Sequence, residues 1–465
     1  MNENKNTDQH KKELSRRDFM GGAAAIATAF TFVPGSVLAG SRRVPPNEKI
    51  NIGCIGVGDQ GSRDMQTFLA KDSVRIVAVC DVDANNRKKA ADIVNEKYNS
   101  RACRTYNDFR EMLEKHKGID AVLVVTPDHT HAPISVAAMK AGKHVYCQKP
   151  LTHTVLEARR MAETARKYKV ATQLGTVNQA SEDSRLLREW IWAGAIGSVR
   201  EVHNWSNRPI WPQGIDRPTE TPPVPSTLDW DLWLGPAPQR PYHPIYLPLV
   251  WRGWWDFGNG ALGDMGCYSF DTIFRVLKLA HPVSVEASGS AFAPKMWNQL
   301  QINTETYPRA SVIRWQFPPR PGMPPVTVTW YDGGMFPPEP DELKGQPLQR
   351  EGLLFVGDRG KILCGFAGGG PRLIPESRMQ AFKRPPRTLP RSIGHHDEWL
   401  RACRGGEAAG ANFEYSGLVT QALLLGNVAL RTRRKLYWDG RNLKVTNLAE
   451  ANKYIHFDYR RPWTL

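Results

Sequence analysis

At 465 residues, 41% hydrophobic and 23% charged, the chain has a globular composition and is too long for one ordinary core, so two domains are expected. Collagenous and low-complexity classes are excluded, and a net charge of +16 with neither a nucleic-acid motif nor aromatics interleaved among the basic residues excludes nucleic acid as a partner. Seven cysteines at 54, 80, 103, 147, 267, 364 and 403 form no close pairs, which speaks against a disulfide scaffold.

The chain opens with Ser15-Arg16-Arg17-Asp18-Phe19-Met20 between a polar leader and an apolar stretch from Gly21 to Ala39. This is a twin-arginine signal pattern over residues 1–39, with cleavage expected after Ala39, and it predicts a periplasmic or otherwise exported protein that engages the twin-arginine export machinery. The stretch is rich in Ala and Gly and broken by Pro34 and Gly35, so no stable membrane anchor is expected. Twin-arginine export carries folded proteins, which suits a chain that acquires a nucleotide before leaving the cytoplasm.

Residues 46–176 alternate short β-rich runs with helical stretches, the pattern of a parallel sheet covered on both faces. Strands are predicted at Ile50–Ile55, Val74–Cys80, Ala121–Val125, His144–Cys147 and Ala171–Leu174, with a further short strand within 100–105. Helices are predicted to start near Ser62, Ala84, Tyr106, Ala132 and Val155. The first strand leads into Gly56-Val57-Gly58-Asp59-Gln60-Gly61, and Asp81 ends the next strand twenty residues after Gly61. Between a strand and a helix, Gly56, Gly58 and Gly61 supply the tight turn, the close approach to a pyrophosphate and the close helix packing of a dinucleotide site. Asp81 is suited to the ribose hydroxyls and repels a 2′-phosphate, so the expected cofactor is NAD rather than NADP.

Open α/β sheets bind ligands at the carboxyl ends of their strands. That rule selects Gly56, Asp81, the turn Thr126-Pro127-Asp128-His129-Thr130-His131, Gln148-Lys149-Pro150, and Gly175-Thr176-Val177-Asn178. Thr126, His129, His131, Gln148, Lys149 and Asn178 are therefore expected cofactor contacts. His129 and His131, and the cluster His395-His396-Asp397-Glu398, lack the spacing of a zinc motif, so no metal is expected.

From residue 177 to 465 the character changes to longer runs with period-two alternation, as in Val283–Ala287, Val312–Phe317 and Val326–Trp330. These predict an α+β domain with a large, mainly antiparallel sheet whose open face favours a homo-oligomer. Pro-rich stretches at 208–248, 318–325 and 337–340 read as loops, and Tyr415–Leu430 as an apolar packing helix. Seven of the fifteen tryptophans lie between 205 and 255, where one or two are expected to line a sugar site while the others pack. Late basic residues, including Arg431, Arg433-Arg434-Lys435 and Arg460-Arg461, read as a solvated face, with a site for acidic glycans or other anions as the competing reading.

Together, the fingerprint, Cys80-Asp81-Val82-Asp83, Thr126–His131, Ala141–Pro150 and Gly260–Asp271 resemble the glucose-fructose oxidoreductase and inositol dehydrogenase family, Gfo/Idh/MocA. The tail segments His395–Trp399 and Leu425–Leu430 resemble its exported members. The resemblance implies a Rossmann domain plus an α+β domain, NAD, a small carbohydrate substrate, and catalysis by Lys149 and Asp264. Two positions depart from the family pattern: Gln148 stands where glutamate is usual, and Tyr268 where a histidine usually takes the substrate proton. Gln148 removes an anion that would hold Lys149 protonated. Tyr268, four residues after Asp264 on one helical face, becomes a usable acid or base if Lys149 favours its phenolate.

Three readings follow. The first is an exported NAD-dependent oxidoreductase of sugars or glycosides, with tightly bound, recycled NAD, since no exchangeable NAD pool exists outside the cytoplasm. The second resembles the family's NAD-dependent glycosidases, which oxidise a sugar carbon transiently, eliminate the aglycone, add water and return the hydride. The third is a non-catalytic, NAD-stabilised carbohydrate-binding protein, motivated by the missing histidine.

Overall fold

The protein is described by a computed structural model covering residues 48–293 and 295–465, so the twin-arginine segment lies outside the described residues. Among the described residues no helix is long and apolar enough to cross a membrane.

The N-terminal domain alternates strand and helix: β1 (Ile50–Ile55), α1 (Asp59–Leu69), β2 (Val74–Cys80), α2 (Ala84–Tyr98), β3 (Arg104–Tyr106), α3 (Phe109–Lys115), β4 (Ala121–Val124), α4 (Asp128–Lys140), β5 (His144–Cys147), α5 (Val155–Tyr168) and β6 (Thr172–Leu174). The strands run parallel in the order β3-β2-β1-β4-β5-β6, the doubly wound order with its switch point between β1 and β4. All four residues of β4 are buried, as a central parallel strand covered on both faces requires. Local chemistry marks the helix starts. Asp83 caps α2 by accepting from the Asn85 N–H, and Thr154 with Glu157 forms a capping box on α5, whereas no side chain caps α1.

The second domain comprises α6 (Glu182–Trp192), β7 (Val199–Trp205), α7 (Trp230–Leu234), α8 (Cys267–Leu277), β8 (Ser284–Gly289), β9 (Ser311–Phe317), β10 (Val326–Tyr331), β11 (Gly352–Gly357), β12 (Gly360–Cys364), β13 (Arg372–Ile374), α9 (Glu376–Ala381), α10 (His395–Cys403), α11 (Phe413–Thr432), β14 (Leu436–Asp439) and β15 (Lys444–Val445). Its nine strands lie in the order β13-β12-β11-β7-β10-β9-β8-β14-β15, antiparallel except for the β7–β10 pair. One face packs on α8 and α11 in the largest core, around Phe270, Trp315, Trp330 and Leu423. Helix α11 is apolar nearly all round because it is covered on several sides, by the sheet and by α5. It approaches α5 closely at Gly417, where a Cβ would lie 2.9 Å from the Ala158 carbonyl oxygen.

The strands and helices agree with the sequence expectations to within a few residues, but the domain boundary at 177 does not describe the tail. Segments on either side of α11 pack back on the Rossmann domain: Trp399 is fully buried in its core, ring centroids 5.4 Å from Phe68 and 5.6 Å from Tyr146. Leu174 N–H donates to the Ala411 carbonyl, and Leu156 N–H to that of Ile455. Residues remote in sequence thus seal the sheet's two sides, a long-range pairing that periodicity does not encode. We predict that Trp399→Ala lowers global stability by about 3–5 kcal/mol through the cavity it leaves, measured by chemical denaturation; a loss under about 1 kcal/mol would mean the tail is only loosely attached.

Candidate active site

The carboxyl rim of the parallel sheet is built first by glycine. Gly56 has φ +77, and a Cβ there would lie 2.4 Å from the Val125 carbonyl oxygen. A Cβ on Gly61 would lie 2.0 Å from the Gly56 carbonyl, so the turn can hug α1 only without side chains. Beside it, Asp81 accepts from the Val57 and Asp83 N–H groups, both at 2.8 Å, which leaves further lone pairs on both oxygens. Gly56, Gly58, Asp81, Asn86 and Thr126 line a cavity of about 550 Å³. The side-chain-free turn, the uncapped α1 terminus and the acceptor at the end of β2 fit an NAD pyrophosphate and adenosine ribose.

The far wall of this cavity comes from the second domain. Leu228, Trp233, Tyr242, Leu247 and Trp251, together with Trp463 from the tail, close over the adenosine side. The segment is fastened there: Ala84 N–H donates to Thr227, Asp229 N–H to Val82, and the Asn107 side chain to Asp229 at 2.9 Å. It has its own small core, in which Trp230 stacks on Trp233 at 4.8 Å and Arg240, paired with Asp256, lies over Phe257 at 4.8 Å. All seven tryptophans between 205 and 255 are buried. Most of these rings are therefore packing, while Trp233 and Trp251 line the wall of the cofactor cavity.

At the end of β5, Lys149 Nζ lies 2.8 Å from Asp264 Oδ1 and 2.9 Å from the Asp264 carbonyl, and 5.0 Å from the centroid of the Tyr268 ring. The three expected catalytic residues thus meet, although not on a regular α-helix. Asp264 sits in a π-helical turn, Leu262–Gly266, that precedes α8, and Tyr268 lies in the first turn of α8. Arg252, which the sequence reading missed, places its Nε 3.0 Å from the same Asp264 oxygen and stacks on Trp251 at 4.2 Å. No pattern in a Trp- and Pro-rich loop could have singled it out.

The electrostatics revise two expectations. Burial pushes the Tyr268 phenol up, and the nearby Lys149 cation only partly offsets this, so the neutral phenol is favoured over the phenolate. Burial pulls Lys149 down, but the Asp264 carboxylate outweighs it and holds the ammonium charged despite the neutral Gln148. Burial also raises Asp264, yet Lys149 and Arg252 together bring it below the usual carboxylate range. Gln148 acts elsewhere, on Asp64. Its amide donates to Asp64 Oδ2 at 2.7 Å, while Gln60 donates to Asp64 Oδ1 at 2.7 Å. A glutamate at 148 would set two carboxylates against each other. Asp64 was also missed, because it lies on a helix face rather than at a strand end.

His129 and His131 are not cofactor contacts. Both are buried, His129 with ring nitrogens at the Phe257 and Trp233 carbonyls and His131 at those of Pro150 and Thr126. Burial lowers them to about 3 and about 4, so each ring is neutral and donates its single N–H to one of its two carbonyls. Asn178 likewise turns away, donating to the Tyr268 carbonyl at 3.0 Å and to Thr272 Oγ1 at 3.2 Å, which positions the start of α8. Thr126 stays at the cavity wall and accepts from Thr130 at 2.8 Å. His395 meets the side chains of Gln173 and Gln179, and His396 stacks on Tyr146. Among the described residues no group of three or more His, Cys, Asp or Glu side chains is arranged to hold a metal ion. Asp128, part of the selected Thr126–His131 turn but given no role of its own there, is buried near Lys149, Asp264 and Arg252, with Asn259 Nδ2 3.0 Å from its Oδ2 and Oδ1 unpartnered among the described residues; burial pushes it up to about 7.

Fold and site together define a two-domain, dinucleotide-dependent protein with a Rossmann half and an α+β half. Residues 50–176 match the oxidoreductase family's NAD-binding Rossmann fold, and residues 197–308 match its C-terminal alpha/beta domain. The chain belongs to the Gfo/Idh/MocA oxidoreductase family. It is 29% identical over 205 residues to Glycosyl hydrolase family 109 protein 1 of Shewanella sp. (strain MR-4), covering 40% of this chain and 44% of that protein. It is 31% identical over 156 residues to inositol 2-dehydrogenase of Salmonella typhimurium (strain LT2), covering 33% of this chain and 45% of that protein. The matches thus span less than half the length of these curated relatives. The crystal structure of the WlbA dehydrogenase from Bordetella pertussis, in complex with NADH and UDP-GlcNAcA, shares the fold with TM-score 0.56 and 17% identity, over 84% of this chain and 99% of that one.

Two predictions test these electrostatics. Asp128 has a folded-state pKa raised to about 7 by burial from an ordinary 3.8, so its stabilising contribution is complete below about 4 and is lost as pH rises through 7. Asp128→Asn should flatten the fall of stability between those pH values by up to about 1.4 kcal/mol per unit, measured by urea denaturation across pH; an unchanged slope would contradict the assignment. Gln148→Glu should lower stability at neutral pH by about 1–3 kcal/mol, and adding Asp64→Asn should restore it. If the double variant shows no recovery, the two side chains are not coupled.

Proposed function

We propose that this protein is an exported NAD-dependent oxidoreductase acting on a sugar, sugar derivative or glycoside, with NAD held tightly and recycled within each turnover. The observation that carries the reading is the convergence of Lys149, Asp264 and Tyr268, joined through Arg252 to Trp251 on the wall of the dinucleotide cavity. Retention is supported by the roof over the adenosine side, and export by the arginine pair at Arg16-Arg17. The sugar class is supported by the named activities of the relatives and by the nucleotide sugar bound to the WlbA dehydrogenase. A homo-oligomer formed through the sheet face opposite α8 and α11, where Arg314 and Gln316 are exposed, belongs to the same proposal.

Bound NAD supplies the hydride acceptor. Asp264 Oδ1 is occupied by Lys149 and Arg252, while Oδ2 has no protein partner among the described residues and is free to accept from a substrate hydroxyl. The Lys149 ammonium, which donates to the Asp264 carbonyl and to Oδ1, keeps a third N–H to donate to the substrate oxygen and stabilise negative charge as it develops there. The hydroxyl proton passes to Asp264 Oδ2, leaving a carboxylic acid beside the ammonium. Tyr268, kept neutral, donates a hydrogen bond to a second substrate oxygen.

A second reading is a glycosidase that works by transient oxidation, elimination, water addition and reduction. It is favoured by the roofed cavity, because a cofactor that does not exchange must have its hydride returned, and by the family 109 relatives.

The exported form, denatured, is expected to release about one NAD per chain, as one Rossmann site implies. Incubated with a panel of glycosides without added NAD, it should turn substrate over. Stoichiometric NADH supports a dehydrogenase half-reaction, and aglycone release without net NADH the glycosidase cycle; neither product, with Lys149→Ala indistinguishable from the native chain, overturns both. Lys149→Ala should cost about 10²–10⁴ in kcat. Tyr268→Phe should cost about tenfold or less, the loss of one hydrogen bond. A loss on the order of 10²–10⁴ there would instead make the phenol the proton carrier.

A further inference from the structure

Several buried or half-buried arginines of this protein are matched to carboxylates: Arg240 to Asp256, Arg252 to Asp264, Arg275 to Asp271 and Arg391 to Glu189. Three arginines that share one cavity, two half-buried and one exposed, are not. Arg309, Arg431 and Arg433 line a space of about 380 Å³ between the end of α11 and the loop before β9, and no Asp or Glu lines it. Among the described residues Arg309 donates only to the Gln213 carbonyl, at 3.3 Å, and Arg433 only to that of Ser290, at 3.0 Å. The Arg433 Nε is buried with no partner.

Arg431 makes no hydrogen bond or ion pair among the described residues, yet it is not a free surface side chain. Its guanidinium carbon lies 4.2 Å from the Trp255 ring centroid and 5.2 Å from that of Tyr454. Stacked between two rings, it is ordered in advance, so less rotamer freedom is lost when its N–H groups engage a ligand. A simple solvated face gives no reason to hold a cation in this way. Asn303, Thr304 and Ser290 add neutral polar groups to the lining, and Phe292 and Ile302 an apolar side. The same Trp255, Arg431 and Tyr454 also border a neighbouring cavity of about 300 Å³ lined by Asp256, Lys453 and Asp458, so a ligand longer than a single ion has room there for an uncharged, hydroxyl-bearing part. Neither cavity shares a lining residue with the dinucleotide cavity.

We propose that this is a second ligand site, distinct from the proposed catalytic site, for a small molecule carrying an oxyanion: a carboxylate, sulfate or phosphate. The oxyanion meets the N–H groups of Arg309, Arg431 and Arg433, whose forked donors suit planar or tetrahedral oxyanions, and the remainder of the molecule rests against Phe292 and Tyr454. The mature chain's excess of basic residues draws such ligands in.

Calorimetric titration of the NAD-loaded full chain with inorganic sulfate, inorganic phosphate, glucuronate and neutral glucose, at constant ionic strength, tests this. At least one anion should bind saturably and glucose should not; the anion that binds best identifies the source of the charge. Arg431→Gln and Arg433→Gln should each weaken that binding about tenfold, as expected for loss of charge-assisted hydrogen bonds. Arg309→Gln, at an exposed position, serves if either variant misfolds. Arg434→Gln, an exposed neighbour outside the lining, should leave binding unchanged. The proposal is overturned if no anion binds saturably, if the lining variants bind as the native chain does, or if Arg434→Gln weakens binding as much as they do.

Discussion

The Asp264 carboxylate binds two cations that come from different parts of the molecule. Lys149 belongs to the loop after β5 of the Rossmann half, Arg252 to the segment that roofs the cofactor cavity, and Asp264 itself to the π turn before α8. Withdrawing these charges from water costs several kcal/mol per ion, and only their mutual hydrogen bonds offset it. Removing one partner leaves a buried charge without compensation, so the contact fixes how the three units sit on one another. The π turn fits this role, since one extra residue in a helix re-aims a side chain without breaking the element.

That dependence explains which parts of the site were legible in the sequence. The Rossmann half was legible because each signal is local: Gly56 and Gly61 lie in one turn, Asp81 ends the next strand, and Lys149 follows the buried run His144–Cys147. Asp64 and the role of Asp128 were not legible, since each depends on a partner far along the chain, Gln148 across 84 residues and Asn259 across 131, whereas Arg252, only 12 residues before Asp264, lies in a loop without periodic signal. His129 and His131 misled for the opposite reason. They occupy strand-end positions of the kind that contact ligands, but their rings turn inward to backbone carbonyls. The tryptophan-rich stretch was correctly singled out by composition, but composition carries no information about which surface an insertion covers.

The roof and the ion cluster are mechanically one object. Arg252 follows Trp251, which lines the cofactor cavity, so the segment that closes the adenosine side also supplies a cation to Asp264 at the proposed catalytic end. A motion that opened the roof far enough to release a dinucleotide would draw Arg252 from Asp264 and leave the carboxylate with Lys149 alone. The proposed retention of NAD thus rests on two features, the small aromatic core around Trp230 and Trp233 and the electrostatic cost of an under-compensated Asp264. The same geometry weakens Asp264 as a base, because two cations stabilise its ionised form. Oxidation of the substrate is then uphill at the proton-transfer step, whereas the return of hydride and proton is downhill. Under the proposed retention of NAD, that asymmetry is advantageous: the oxidised intermediate is formed reversibly and pulled back to the alcohol, which favours a cycle that regenerates NAD over one that accumulates NADH.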